Sequence, residues 1–461
     1  MKRGTEYKQI LKGRKVLVVG LGKSGKAAAR ALNNAGAIVE VQDSQTADKL
    51  DTQFLQYMQN EEIRSYLGTK PEDMTAYDML VLSPGVPPAL DYIEEARKAG
   101  AEIIGELELA YRVGEGRFIA ITGTNGKTTT TTLVGEIFKA AGRDTAVVGN
   151  IGNPVVAEAD ESTEDDWLVT EVSSFQLETV SEFRPEVSAI LNLTPDHLNR
   201  HGSMEAYGQA KARIAANQGE DDYLVINMDD PQAFALSKDT KATVIPFSRK
   251  SEPAAGAYLD DTSIIVKGLD GKKHFICDKA DLRIIGDHNV ENVLAAAAIA
   301  FFAGIDPEVI SSAVKEFPGV EHRIEFCGRV DEVDYYNDSK GTNVDAAVIA
   351  LKALEKGIIL IAGGDAKSQD FTELAAHFDG CVEALVLLGR DAYMIEEAAR
   401  KAGFTNIYNC KDMPECVRKA AELARPGEKV LLSPACASWD MYDNFEQRGR
   451  HFKQCIKEML R

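Results

Sequence analysis

Residues 118–142 read FIAITGTNGKTTTTTLVGEIFKAAG, an apolar strand-type run, a glycine turn and a helix-length segment. Five consecutive threonines, Thr128–Thr132, stand where the helix begins. β-Branched side chains lose freedom there, each costing roughly a few tenths of a kcal/mol against alanine. A demand other than helix propensity therefore places them. A strand followed by GTNGKT and a helix aims successive backbone N–H groups and a helix N-terminus at one point, which suits phosphate. On that reading Lys127 reaches the terminal phosphates of a nucleotide and Thr128 sets its hydroxyl on Mg²⁺. The later threonines bond helix-end groups or pack against the sheet. The match to G-x-x-x-x-G-K-[ST] is incomplete, because Ile121 stands five positions before Gly126 and the nearest glycine is Gly123.

Outward from this stretch, short apolar runs alternate with helical segments over the whole chain, which predicts an α/β fold with mainly parallel sheets. KVLVVG, AIVEVQD and DMLVLSPG form a first series, the runs from FIAITG through YLVINMDD a second, and VDYYNDSK, GIILIAGGD, ALVLLGRD and KVLLSPA a third. Boundaries near residues 107 and 318 give segments 1–107, 108–318 and 319–461. A chain of 461 residues with 44% hydrophobic and 27% charged residues has the composition of a multidomain globular protein. Its formal charge of −20 opposes binding to nucleic acid or an acidic membrane. Seven scattered cysteines without ligand spacing read as reduced cytosolic thiols. The N-terminus lacks the apolar core of a signal peptide. VLAAAAIAFFAGI, 293–305, is too short to span a membrane and reads as a buried helix.

A second glycine loop, GLGKSG at 20–25, satisfies G-x-G-x-x-G, with Asp43 ending the next strand. The pattern provides a backbone pocket for a diphosphate, of which a nicotinamide cofactor is one occupant. Ser83-Pro84-Gly85 ends another strand and could line the same crevice, or be a plain turn. Glu171 follows an apolar run where an acid could ligate Mg²⁺ or simply be solvated. His197, beside Asp196, suits metal binding or carboxylate orientation, although most loop histidines are only exposed. Lys211 sits in a helical pattern and is not distinguished from a solvated lysine. Asp287 caps a helix carrying Asn289 and Asn292, and Asn292 in an alanine-rich buried helix needs a polar partner. Arg323, Asp338, Lys340 and Lys367 fall at strand ends or the loops after them, and together suggest a basic face for phosphate and carboxylate.

The ordered set GTNGKTT, EVSSFQL, LNLTPDHLNRHG, HNVENVLAA, PGVEHRIE, NDSKGTN, GGDAKSQDF and SPACASWDMYDNFEQRG closely resembles the Mur ligases of bacterial peptidoglycan synthesis, across nearly the whole chain. The last three resemble the branch that adds D-glutamate, and no DNPR-type motif of the diaminopimelate- or lysine-adding branch is present. The resemblance implies three domains: an N-terminal Rossmann-like domain binding the uridine nucleotide, a central P-loop-type ATPase, and a Rossmann-like C-terminal domain that closes over the amino acid. It reassigns GLGKSG to UDP, with Ser24, Asp43, Ser44, Ser83 and Gly85 on the nucleotide and Asn150 and Gly152 on the path to the muramoyl peptide. It assigns Gly123, Thr124, Asn125, Gly126, Lys127, Thr128, Thr129, Asn292, Arg323, Asp338 and Lys340 to ATP. Thr128 and Glu171 would hold one Mg²⁺, and His197 with Lys211, carbamylated by CO₂, a second. Lys127, Glu171, His197 and Lys211 form the implied catalytic set. Thr342, Lys367, Ser438 and Phe445 would surround D-glutamate. The implied partners are UDP-N-acetylmuramoyl-L-alanine and D-glutamate, and the implied protein is a cytoplasmic monomer.

Three alternatives stay open on the sequence. A sister ligase of the folylpolyglutamate synthetase type shares the ATPase segment but not GLGKSG together with SPACASWDMYDNFEQRG. A nicotinamide-dependent dehydrogenase leaves the second loop unused. A nucleotide-sensing module would bind ATP without turnover.

Overall fold

In the computed structural model, which describes residues 2–367 and 369–459, the chain forms two compact units. One comprises Met1–Leu282 with Val290–Phe317, the other Arg283–Asn289 with Pro318–Arg461.

The first unit carries two sheets. The N-terminal one is parallel throughout, in the spatial order Arg64–Leu67, Ile38–Asp43, Lys15–Val19, Met79–Leu82, Glu102–Gly105. Its central strands are the apolar runs of the sequence, buried on both faces as parallel strands require. RSYL and EIIG at the two edges have no long apolar run and were not foreseen as strands. The helix Lys23–Asn34 lies so close to the first strand that a Cβ on Gly25 would stand 1.8 Å from the Gly20 carbonyl oxygen. Glycine is required there by approach rather than by dihedral.

The central sheet runs Lys273–Asp278, Ser263–Lys267, Gly256–Asp260, Thr243–Ser248, Tyr223–Asn227, Val187–Ile190, Arg117–Thr122, Trp167–Glu171, Thr145–Gly149. It is parallel from Gly256–Asp260 to Thr145–Gly149, and the first three strands pair antiparallel, an extension the alternation of strand and helix did not predict. Ser263–Lys267 buries every second residue, the pattern of a sheet with one solvated face. The helix Glu106–Val113, entirely buried, leads from the first sheet into the second. Glu108 on it accepts the backbone N–H groups of Ser181 and Phe183 and the Nε–H of Arg112. Charge buried here is thus paired and locks the helix to the segment between Ser174–Leu177 and Val187–Ile190.

The second unit has the sheet order Glu325–Val330, Val333–Asn337, Lys429–Leu432, Ile358–Ala362, Val382–Leu387, Ile407–Asn409. The first pair is antiparallel and the others are parallel. Asp338, Lys340 and Lys367 follow strands as expected. Arg323 does not: it lies in the turn before Glu325–Val330, because the strand following PGVEHR starts two residues later. The apolar run 293–300 is buried within the helix Asp287–Phe302. Among the described residues no helix is long and apolar enough to cross a membrane.

Candidate active site

The strand Arg117–Thr122 lies between Trp167–Glu171 and Val187–Ile190, where the chain leaves toward opposite edges of the sheet. Open α/β sheets bind ligands at such a point. The turn 123–126 opens there. Gly126 caps the helix Lys127–Ala140 at φ 82°, and a Cβ on it would stand 2.2 Å from Asn292 Oδ1. Asn292 also accepts from Thr130 Oγ1 at 3.3 Å, which brings it against the loop the sequence assigned to ATP. Thr128 to Thr131 are buried, so the threonine run packs inward as well as bonding. Lys127 Nζ lies over the loop, donating to the carbonyls of Gly123 (2.9 Å) and Thr124 (2.8 Å).

Asn192, at the end of the neighbouring strand, was missed. Its Oδ1 accepts the backbone N–H groups of Thr124 (3.0 Å) and Asn125 (2.8 Å), and its Nδ2 donates to the Asn125 carbonyl (3.1 Å). A polar residue after the apolar run VSAIL was the available signal.

Glu171 ends the strand on the other side and is 2% exposed. Its Oε1 accepts from Asn150 Nδ2 (2.9 Å), while Oε2 is buried with no hydrogen-bond partner. Leaving such an oxygen unmatched costs about 1–3 kcal/mol, more if charged, so the donor set fits a divalent cation. Asn150 and Gly152 belong to the loop tied to Glu171, with Asn150 N–H also donating to the Glu171 carbonyl. Lys211 is 1% exposed, with Nζ donating to the Gly123 carbonyl (2.8 Å) and Thr122 Oγ1 (3.4 Å) and lying 4.6 Å from the Tyr207 ring centroid. Burial, and secondarily the charge of Lys127, holds its pKa well below that of an ordinary lysine, against a smaller opposing pull from Asp196. This favours the neutral amine. His197 is half exposed at φ 52°, its Nε2 3.5 Å from Asp196 Oδ2.

Ser24, Asp43, Ser44, Ser83 and Gly85 line one cleft of about 510 Å³ at the ends of the N-terminal strands. Ser83 Oγ donates to the Gly20 carbonyl (2.8 Å), and Asp43 Oδ2 accepts the Leu21 N–H (2.6 Å). Asp43 therefore also braces the glycine loop.

In the second unit the adjacency of Val333–Asn337, Lys429–Leu432 and Ile358–Ala362 gathers the loops bearing Asp338, Lys340, Thr342, Lys367 and Ser438 at one end of the sheet. Asp365 and Ala437 exchange backbone hydrogen bonds of 2.9 Å, joining the loops of Lys367 and Ser438. Buried Arg448, unremarked in the sequence, donates to Ser339 and to the Cys436 carbonyl. Ser339 Oγ in turn donates to the Phe445 carbonyl at 2.8 Å. Asp338 accepts from Ser433 Oγ (2.7 Å), and burial pushes its pKa up to about 7, against that hydrogen bond and the charge of Arg323. A separate cavity of about 360 Å³ is lined by Asn289, Arg323, Ile285, Phe326 and Tyr336, apolar walls with a few polar groups. Ile285, Phe326 and Tyr336 carried no sequence signal beyond being apolar.

Three family descriptions match the chain: "Mur ligase MurD-like, N-terminal domain" at residues 14–105, "Mur ligase middle domain" at 121–300, and "Mur ligase, glutamate ligase domain" at 322–436. A UDP-N-acetylmuramoylalanine–D-glutamate ligase of Clostridioides difficile (strain 630) is 49% identical, over 97% of this chain and 99% of that protein. One from Thermoanaerobacter sp. (strain X514) is 47% identical, over 98% and 100%. Among solved structures, a pseudomurein peptide ligase type C from Methanothermus fervidus superposes with a TM-score of 0.59 at 21% identity, over 97% of this chain and 100% of that one. A UDP-N-acetylmuramate–alanine ligase from Thermotoga maritima gives 0.59 at 20%, over 96% and 99%. These last two likenesses are of fold.

Proposed function

The chain belongs to the Mur ligase family, and from that premise we propose that it joins D-glutamate to UDP-N-acetylmuramoyl-L-alanine, cleaving ATP to ADP and phosphate. The observation that carries the reading is the glycine loop at the switch point of the central sheet, flanked by the buried Glu171 carboxylate, one oxygen of which is unmatched, and the desolvated Lys211.

An amine cannot be acylated by a free carboxylate directly, since oxide would have to leave the acyl carbon. The alanine carboxylate oxygen first attacks the γ-phosphorus of ATP, and ADP departs, leaving an acyl phosphate. The D-glutamate amine then attacks the acyl carbon, the tetrahedral adduct collapses, and phosphate leaves as the amide forms. Loop N–H groups from Gly123 to Thr128 and the Lys127 ammonium hold the phosphates, since phosphoryl transfer depends chiefly on position and charge. Lys127 exchanges its carbonyl partners for phosphate oxygens. Bound Mg²⁺ would neutralise the crowded anionic oxygens, one ion held by Thr128 and Glu171 and a second by His197 with Lys211 as its carbamate. A lysine kept neutral by burial is the form that reacts with CO₂, and the resulting anion attracts metal.

We assign segment 1–107 to the UDP substrate through the cleft of Ser24, Asp43, Ser44, Ser83 and Gly85. The path to the muramoyl peptide passes Asn150 and Gly152. Segment 108–318 binds ATP, with Asn292 and Thr129 behind the loop. Segment 319–461 takes D-glutamate at Thr342, Lys367, Ser438 and Phe445, and supplies Arg323, Asp338 and Lys340 to the nucleotide. The cavity lined by Ile285, Asn289, Arg323, Phe326 and Tyr336, to which both segments contribute, suits a purine base. Closure of segment 319–461 excludes water from the acyl phosphate. The protein acts as a cytoplasmic monomer.

ADP release measured across a panel of UDP-muramoyl precursors with D- and L-amino acids tests the reading. Turnover is expected only with UDP-N-acetylmuramoyl-L-alanine and D-glutamate together. Equal stimulation by other amino acids overturns the specificity, and tight ATP binding without any turnover favours the nucleotide-sensing alternative.

A further inference from the structure

Ser174, His201 and Glu178 form a row. Ser174 Oγ and His201 Nε2 share a 2.9 Å hydrogen bond, and His201 Nδ1 lies 3.5 Å from Glu178 Oε1. The order has the form of a hydrolase triad, but Ser174 is 3% exposed, so no substrate reaches its hydroxyl. The row faces inward, and its neighbours say what it does. Ser174 opens and Glu178 caps the short helix Ser174–Leu177, which follows the strand that ends in Glu171. Phe175 on the same helix lies between two imidazoles, His197 at 4.9 Å and His201 at 5.5 Å, with the Arg200 guanidinium 4.3 Å over its ring. Arg200 in turn donates to Glu178 (2.6 Å). On its remaining side His201 packs against Tyr207 at 5.1 Å. Tyr207 lies beneath Lys211 Nζ, and its hydroxyl is 3.3 Å from Thr124 Oγ1 in the phosphate loop.

His201 thus touches, directly or through one ring, segments adjoining three of the four candidate metal ligands, namely the helix that follows Glu171, the loop of His197 and the helix of Lys211, while Thr128 lies on a separate helix. We propose that His201 is a positioning residue for the metal centre, fixing the spacing of these three ligands without contacting ATP or the amino acid. The inference rests on the ligase reading and its metal assignment. Its side chain is 4% exposed, which fits a part that orders its neighbours rather than one that meets solvent or substrate. Groups that orient metal ligands in this way change metal affinity or activity by about 10- to 100-fold when removed.

The test is Mn²⁺ binding, followed by electron paramagnetic resonance on the full chain with the non-hydrolysable nucleotide AMP-PNP, beside steady-state kinetics. In His201→Ala the Mn²⁺ dissociation constant rises about tenfold or more and kcat falls by about 10- to 100-fold. KM for D-glutamate stays within about twofold, and His201→Gln, which can still bond Ser174, recovers most of the loss. Mn²⁺ affinity and kcat within twofold of wild type in a folded His201→Ala overturn the proposal. If that variant does not fold, Ser174→Ala, which deletes one hydroxyl, decides: weaker Mn²⁺ binding supports the proposal and unchanged binding overturns it. Wild-type protein lacking D-glutamate-dependent ADP release defeats the ligase reading. Normal wild-type turnover with unaltered Mn²⁺ binding in the variants defeats this inference alone.

Discussion

Replacing Asn192 by alanine removes the side chain that sets the shape of the phosphate loop. Three hydrogen bonds are lost, from Thr124 N–H, Asn125 N–H and to the Asn125 carbonyl. At about 0.5–1.5 kcal/mol each in net terms they amount to roughly 1.5–4.5 kcal/mol. Asn192 is only partly buried, so water replaces some of this, and about 1.5–3 kcal/mol is the expected loss of loop preorganisation. Since only the bound geometry needs the loop ordered, the loss appears in nucleotide affinity. At about 1.4 kcal/mol per tenfold, Kd for ATP rises roughly 10- to 150-fold. Isothermal titration with MgATP reads this directly, and circular dichroism checks that the fold survives. A Kd within twofold of wild type in the folded variant would falsify the view that Asn192 shapes the loop.

The other expectations are narrower. Gly126→Ala places a side chain at φ 82° and drives a methyl into Asn292 Oδ1 at 2.2 Å, so ATP binding is lost by equilibrium dialysis and the thermal midpoint falls with it; retained binding contradicts the geometry. Wild-type activity drops in CO₂-depleted buffer and returns with bicarbonate, with a carbamate signal in ¹³C NMR absent from Lys211→Ala; indifference to CO₂ excludes the carbamate. Glu106 is fully buried, one oxygen on the Val156 N–H and the other unmatched, and burial raises its pKa from 4.5 to about 7. The folded state therefore holds the proton more tightly than the unfolded one, and stability falls as pH rises from about 4.5 to about 7, by roughly 3 kcal/mol from this group. Glu106→Gln should remove that part of the slope and be more stable than wild type at pH 8 in urea titrations; an unchanged slope refutes the assignment.

How far the sequence carried depends on what kind of signal a residue leaves. The glycine loops were legible because a turn between strand and helix needs Gly126 in the left-handed region and Gly25 at van der Waals contact with Gly20. The central parallel strands were legible from their apolar runs. The edge strand RSYL was not, since an edge need not be apolar, and neither was the antiparallel extension beyond Gly256–Asp260, whose pairing is decided across the sheet. Lys211 illustrates the limit best: in a helical pattern it reads as solvent-facing, and only the fold reveals a nearly inaccessible amine beside Lys127. Asn192, His201 and Arg448 escaped for a related reason, each acting through partners far away in sequence.

The claim on which everything else turns is that the alanine carboxylate is activated as an acyl phosphate. UDP-N-acetylmuramoyl-L-alanine labelled with ¹⁸O in that carboxylate, turned over with ATP and D-glutamate, tests it by mass spectrometry of the released phosphate. One ¹⁸O per phosphate is the predicted result. Phosphate free of label, formed alongside the amide, contradicts it.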